Sequence, residues 1–120
     1  MSLQLSTSVF SSVLTAAVLF AVSGQAQAAD AEAAQTLAKR SNCFKCHAID
    51  KKKEAIAWKD VAAKLKKEKV ADPQAFLIKH ITTGPKVKLE DGSEEEHPII
   101  KTKNPDEIKN LVDWILSLGA

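Results

Sequence analysis

Asn42-Cys43-Phe44-Lys45-Cys46-His47-Ala48-Ile49 holds both cysteines of a 120-residue chain and one of its three histidines. Two thiols three residues apart, with an imidazole directly after the second, admit four chemistries. A structural disulfide suits an oxidising compartment, but it gives the histidine no role. A thioredoxin-like redox pair needs a βαβ setting, and no convincing strand pattern surrounds the motif. A closed zinc site needs four ligands in tetrahedral array, and three side chains this adjacent do not make one alone. The fourth chemistry is covalent attachment of haem, which is how C-x-x-C-H reads. Thiols at i and i+3 can add to the two vinyl groups on one side of the macrocycle, and the next imidazole then meets the iron. Cys43 and Cys46 would become thioethers, and His47 the proximal iron ligand, of one haem c per chain.

Upstream of this motif, residues 1–29 carry no charged side chain. Val13 to Val22 is a compact apolar run, followed by the small and polar Ser23 to Ala29. Ala26-Gln27-Ala28 fits the small-x-small pattern of a signal-peptidase site. The run is shorter than the roughly 20 apolar residues of a membrane span. The segment from Met1 to Ser12 lacks the usual Lys or Arg, and an uncleaved anchor is the competing reading. The expected organisation is a cleaved signal peptide over 1–28 and one domain over 29–120, exported to the periplasm and without stable membrane insertion after cleavage. A domain that small buries a modest core, and a covalent haem supplies both apolar surface and a cross-link. Seventeen Lys and Arg against 15 Asp and Glu leave a net charge of +2. Nucleic-acid binding calls for a strongly basic stripe, so no nucleic-acid partner is expected.

Downstream and just before the motif, helices dominate. Asp30 caps a first helix to Arg40, with Ala31, Ala34, Leu37 and Ala38 on one face. A second spans Trp58 to Lys69, with Val61, Ala62 and Leu65 as its apolar stripe and Lys64, Lys66, Lys67 and Lys69 on the wet side. Asp72-Pro73 starts a third, which Gly84-Pro85 stops near Thr82. Asn104-Pro105 opens the last, striped by Ile108, Leu111, Val112, Ile115 and Leu116. Lys86 to Lys103 shows neither helical nor strand periodicity. It carries an Asp91-Gly92 turn signal and the acidic run Glu94-Glu95-Glu96. Loops this long are functional or disordered in most compact domains. The class is all-α.

The stretch Asn42 to Lys52 resembles the haem-binding segment of the small bacterial class I cytochromes c, the c8 or c-551 type. Ala57-Trp58-Lys59-Asp60-Val61-Ala62-Ala63-Lys64 resembles the helix that follows it there. Leu111-Val112-Asp113-Trp114-Ile115-Leu116-Ser117-Leu118 resembles the family's C-terminal helix. The resemblance implies about four helices around one haem, the N- and C-terminal helices crossed, and a carrier of electrons between larger redox enzymes. Trp114 is expected in the helix crossing, and Trp58 either in the core or at a haem propionate.

The chain also departs from that family. The family's distal iron ligand is a Met in a Met-Pro context before the last helix. The only methionine here is Met1, which leaves with the signal peptide. His97-Pro98 occupies the equivalent place, and His97 is the expected distal ligand. His80, within the third helix, is the alternative and is otherwise a surface or haem-rim residue; an open or water-bound site is the third outcome. Ala55-Ile56 stands where the family has Gly-Pro, whose Pro carbonyl accepts a hydrogen bond from the proximal imidazole; the Ile56 carbonyl can serve instead.

Bis-histidine ligation implies a lowered potential, because a thioether ligand is what raises it in Met/His cytochromes c. The expected function is single-electron transfer between redox proteins, by a non-enzymatic carrier that is a monomer or acts in transient complexes. Lys51, Lys52, Lys53, Lys86 and Lys88 are candidate contacts for an acidic donor or acceptor. Two alternatives share the haem: a ligand sensor with a labile His97, and a cytochrome subunit of a larger oxidoreductase such as a sulfite-oxidising enzyme.

Overall fold

The computed structural model describes residues 28–119. The expected signal peptide lies outside the described residues except for Ala28. Four helices form: α1 (Ala31–Arg40), α2 (Trp58–Lys67), α3 (Pro73–Thr83) and α4 (Pro105–Ser117). Each lies within one or two residues of its expected span. Among the described residues no helix is long and apolar enough to cross a membrane.

Local chemistry explains where the helices begin. Asp30 accepts from the Ala33 amide at 3.0 Å, Asp72 from Ala75 at 2.9 Å, and Asn104 from Asp106 at 3.0 Å. Each cap satisfies an amide that the first turn leaves without an intrahelical partner, which contributes about 1 kcal/mol. Pro73 and Pro105 then occupy the first helical positions, where their missing N–H costs nothing. The α2 helix has no capping side chain. Its Trp58 and Lys59 amides donate instead to the Ala48 and Ile49 carbonyls, both at 3.0 Å. The end of the cysteine loop thereby caps α2.

The α4 helix is the hub: it packs against α1, α2 and α3. Its buried stripe holds Ile108, Leu111, Val112 and Ile115 of the five residues its periodicity predicts, with Trp114 added, while Leu116 is only half-buried. Ala34 and Ala38 of α1 are fully buried, and their short side chains let the terminal helices approach closely. A reciprocal pair of bonds locks that junction. The Asp30 amide donates to Asn110 Oδ1 at 2.7 Å, and Asn110 Nδ2 donates back to the Asp30 carbonyl at 2.9 Å. Trp58 and Trp114 meet edge to face at 5.5 Å, which joins α2 to the same core.

The segment expected to be irregular contains a short hairpin, the one sheet among the described residues of a fold that is otherwise helical as expected. Strands β1 (Lys86–Lys88) and β2 (Glu94–Glu96) pair antiparallel, with Lys86 opposite Glu96, Val87 opposite Glu95 and Lys88 opposite Glu94. The turn falls at the anticipated Asp91-Gly92. Gly92 has φ +87°, and the Asp91 carboxylate accepts from the Ser93 amide and hydroxyl at 2.9 and 2.6 Å. Opposite charges face each other across the ladder, a favourable cross-strand arrangement. Three-residue strands with a single apolar position show no period-2 signal, so local sequence cannot reveal them.

Candidate haem-binding site

Three segments converge on one cleft of about 280 Å³: the cysteine loop, the hairpin, and the stretch from His97 to Lys101. The cysteine loop begins with Asn42 in the left-handed region, φ +60°, a conformation Asn tolerates better than most residues. A single 3-10 turn follows over Cys43–Lys45. The Cys46 and His47 amides both return to the Cys43 carbonyl, at 3.3 and 3.0 Å. Lys53 Nζ donates to the Phe44 carbonyl at 2.7 Å, and Lys52 pairs with Glu90 of the hairpin turn at 2.5 Å. The Glu90 amide donates to the Glu54 carbonyl at 3.0 Å. Two of the lysines expected at a docking surface therefore brace the loop.

Both cysteines are free and open on the cleft. Burial pushes the Cys43 thiol up from its ordinary range. Cys46 is raised by burial too, and by donating to the Glu54 carboxylate at 3.3 Å. Protonated, neutral thiols result.

His47 lies against Trp58, ring centres 5.3 Å apart and nearly parallel. Its Nδ1 is 3.3 Å from the Ile56 carbonyl, so the bond expected at that position forms without the family's Pro. A carbonyl oxygen only accepts, so Nδ1 carries the proton and the neutral ring keeps its lone pair on Nε2. His97 has the same arrangement: its Nδ1 is 2.9 Å from the Pro98 carbonyl. Metal-bound histidines show this pattern, the non-ligating N–H donating to a carbonyl or carboxylate. The two rings have centres 6.3 Å apart. Two imidazoles on opposite sides of one metal ion, each with a metal–nitrogen bond of about 2.0 Å, stand roughly 6 Å apart. Burial lowers the proton affinity of both rings, partly opposed by the carbonyl bonds, and favours the neutral form that ligation needs.

His97 is held by its backbone on both sides. The His97 amide donates to the Pro85 carbonyl at 2.9 Å, Ile100 to Ile81 at 2.9 Å, and Lys101 to the buried Ser41 hydroxyl at 3.1 Å. Gly84, the C-cap of α3 at φ +62°, completes the seat. A Cβ there would stand 2.8 Å from the His97 carbonyl and 3.1 Å from Ile99. Gly84→Ala is expected to destabilise the fold by about 2 kcal/mol, since left-handed backbone alone costs a side chain 1–2 kcal/mol. Denaturant titration of the holoprotein reads that loss, and its absorption spectrum reads the displacement of His97.

His80, the alternative distal ligand, packs on the other expected ligand, His97. It is half-buried against His97, ring centres 4.6 Å apart. Among the described residues it has no carbonyl bond like those of His47 and His97. Trp58 is a core residue, 3% exposed, with its ring against Phe44, His47 and Trp114. Residues invisible in sequence are Ser41, Glu54 and Glu90. Their roles depend on partners distant along the chain, and no local signal marks them.

The alternatives to haem lose ground on geometry. No disulfide joins Cys43 and Cys46, and among the described residues no cluster of three His, Cys, Asp or Glu forms a metal cage. The hairpin is antiparallel, so the described residues hold no βαβ unit. A covalent haem fits instead. Two thiols open on a cleft lined by Ile81, Val87, Leu89 and Ile100, which His47 and His97 also line.

Comparison with known proteins gives the same answer. The family model for cytochrome c matches residues 31–119. Cytochrome c-552 of Nitrosomonas europaea is 36% identical over 100 residues, covering 82% of this chain and 91% of that protein. Cytochrome c-551 of Pseudomonas aeruginosa is 37% identical over 95 residues, covering 77% and 83%. Among solved structures, the class 1 cytochrome MtoD from Sideroxydans lithotrophicus ES-1 superposes with a TM-score of 0.70 at 52% identity. That match covers 78% of this chain and all of the other. The wild-type Nitrosomonas europaea cytochrome c552 superposes at 0.55 with 31% identity, covering 70% and 98%. With one C-x-x-C-H motif, a four-helix fold that carries its cleft and these relatives, the chain belongs to the cytochrome c family, as a small class I member that carries one covalent haem c and transfers electrons.

Proposed function

We propose that this chain is a periplasmic carrier of single electrons whose iron sits between His47 and His97, at a potential below that of a Met-ligated relative. The observation that carries the proposal is the matched pair of imidazoles. Each has its Nδ1–H tied to a backbone carbonyl, which leaves the lone pair on Nε2, and their centres are 6.3 Å apart. Cys43 and Cys46 would form the thioethers that hold the haem at the cleft. The haem supplies the one-electron couple between ferric and ferrous iron.

The protein residues do the rest. His47 and His97 hold a fixed pair of nitrogen donors. The anchors at Pro85, Ile81 and Ser41 keep the distal segment in place when the charge changes. Acid–base groups are not needed, so the chain works as a carrier rather than an enzyme. Lys51, Lys86 and Lys88 remain exposed, and they suit a transient encounter with an acidic redox protein. Residues 1–28 act as the export signal that brings the chain to the periplasm.

A sensor needs a distal ligand that leaves readily. The three backbone anchors around His97 speak for the carrier. The test is spectroelectrochemical titration of the holoprotein. Low-spin iron in both oxidation states is expected, with a midpoint potential lower than that of Met-ligated relatives by on the order of 0.1 V, a fraction of the roughly 0.8 V that axial ligands command. High-spin ferrous iron, or a potential equal to that of those relatives, overturns the proposal.

A further inference from the structure

His80 has no part in the ligation described above, yet its ring is the one packed on the distal imidazole. Phe76 and His80 lie four residues apart on α3 and so share a face. Their rings are 6.1 Å apart and inclined by 26°. His80 in turn meets His97 edge to face, at 4.6 Å and 67°. That lies at the close end of the range for edge-to-face rings. A row of three rings thus runs from Phe76, 43% exposed, to the distal nitrogen donor.

We propose that His80 is a positioning residue: its ring, backed by Phe76, walls the His97 imidazole and keeps it from swinging off the iron. The proposal rests on His97 being the distal ligand. The backbone of His97 is fixed at the Pro85 carbonyl, and its Nδ1 at the Pro98 carbonyl. A ring swing that carries Nε2 away from the cleft must break the Nδ1 bond to Pro98, a single hydrogen bond that is a modest restraint by itself. The His80 ring occupies one flank of that imidazole. Removing it opens room of about one ring beside the ligand, while the bonds at Pro85 and Pro98 stay.

Carbon monoxide tests this, because it binds ferrous iron only when a distal ligand has left. Association is followed on reduced holoprotein for the wild type and for His80→Ala, His80→Phe and His97→Ala, with ferric electron paramagnetic resonance on each. His80→Ala is expected to remain low-spin at rest and to take carbon monoxide about tenfold faster, equivalent to about 1.4 kcal/mol. Its resonance signal should broaden, as the His97 ring samples more orientations. His80→Phe restores a ring without nitrogen and should react like the wild type. Equal rates in His80→Ala and the wild type overturn the proposal. So do equal, fast rates in His80→Ala and His80→Phe, which would assign the effect to ring nitrogens. If His80→Ala does not accumulate as holoprotein, Phe76→Ala carries the test: faster association supports the wall, and an unchanged rate overturns it. A different result, high-spin His80→Ala beside low-spin His97→Ala, would instead make His80 the ligand and remove the ligation on which the wall depends.

Discussion

His97→Ala is expected to convert the iron from low-spin to high-spin in both oxidation states, essentially completely. An imidazole is a strong-field donor; alanine donates nothing, and water is the only replacement at hand. His80 does not rescue the variant. It reaches His97 from one flank, and among the described residues it lacks the carbonyl bond that would aim its lone pair. Absorption spectra of the ferric and ferrous forms decide the matter, and persistent low-spin iron would reject His97 as ligand. A companion substitution sharpens the result. His97→Met restores the donor type that raises potentials in Met/His cytochromes c. It should return low-spin iron with a midpoint raised by on the order of 0.1 V or more, within the roughly 0.8 V span of axial ligation. The backbone anchors favour this variant, because Pro85, Ile81 and Ser41 hold the segment whichever side chain it carries.

Leu111→Ala should be the most damaging core substitution, and it should leave the spin state of the folded protein alone. Leu111 is 1% exposed, on the helix that touches all three others. Truncating a buried leucine removes about 2–5 kcal/mol, the transfer energy plus the cavity left behind. Small domains hold only about 5–15 kcal/mol in total. A mid-range loss of about 3 kcal/mol lowers the melting temperature by roughly 10–25 °C for a domain this size. Leu116→Ala on the same helix, only half-buried, should cost clearly less. Calorimetry of the two variants compares them directly. Equal losses would mean that α4 does not organise the core as its burial indicates.

Helices were legible because their signals are local. Asp30, Asp72 and Asn104 announce their own caps, and Pro73 and Pro105 mark first turns without reference to the rest of the chain. The proximal half of the site was legible for the same reason: Cys43, Cys46 and His47 are neighbours. The proposed distal half rests on scarcity, since a chain with one methionine at its first residue leaves few donors besides His97 and His80. The hairpin was not legible. Lys86–Lys88 and Glu94–Glu96 are charged and short, and the bonds that place the segment reach outside it, to Glu54 and Pro85. The environment of His80 was hidden too. Its helix was foreseen, but whether that side chain meets water or His97 depends on how α3 sits beside the distal segment, a relation no periodicity records. Lys52 and Lys53 looked like docking charges because their partners, Glu90 and the Phe44 carbonyl, become neighbours only on folding.

The mutual bonds between Asp30 and Asn110 join positions 80 residues apart. Nearly the whole described domain is thereby closed into one loop, and the entropy of closing so long a loop grows only slowly with its length. Without Asn110, the amide of Asp30 and the alanine face of α1 would have less to close upon. The junction acts as a clasp between the two ends of the domain, with the cysteine loop enclosed between them.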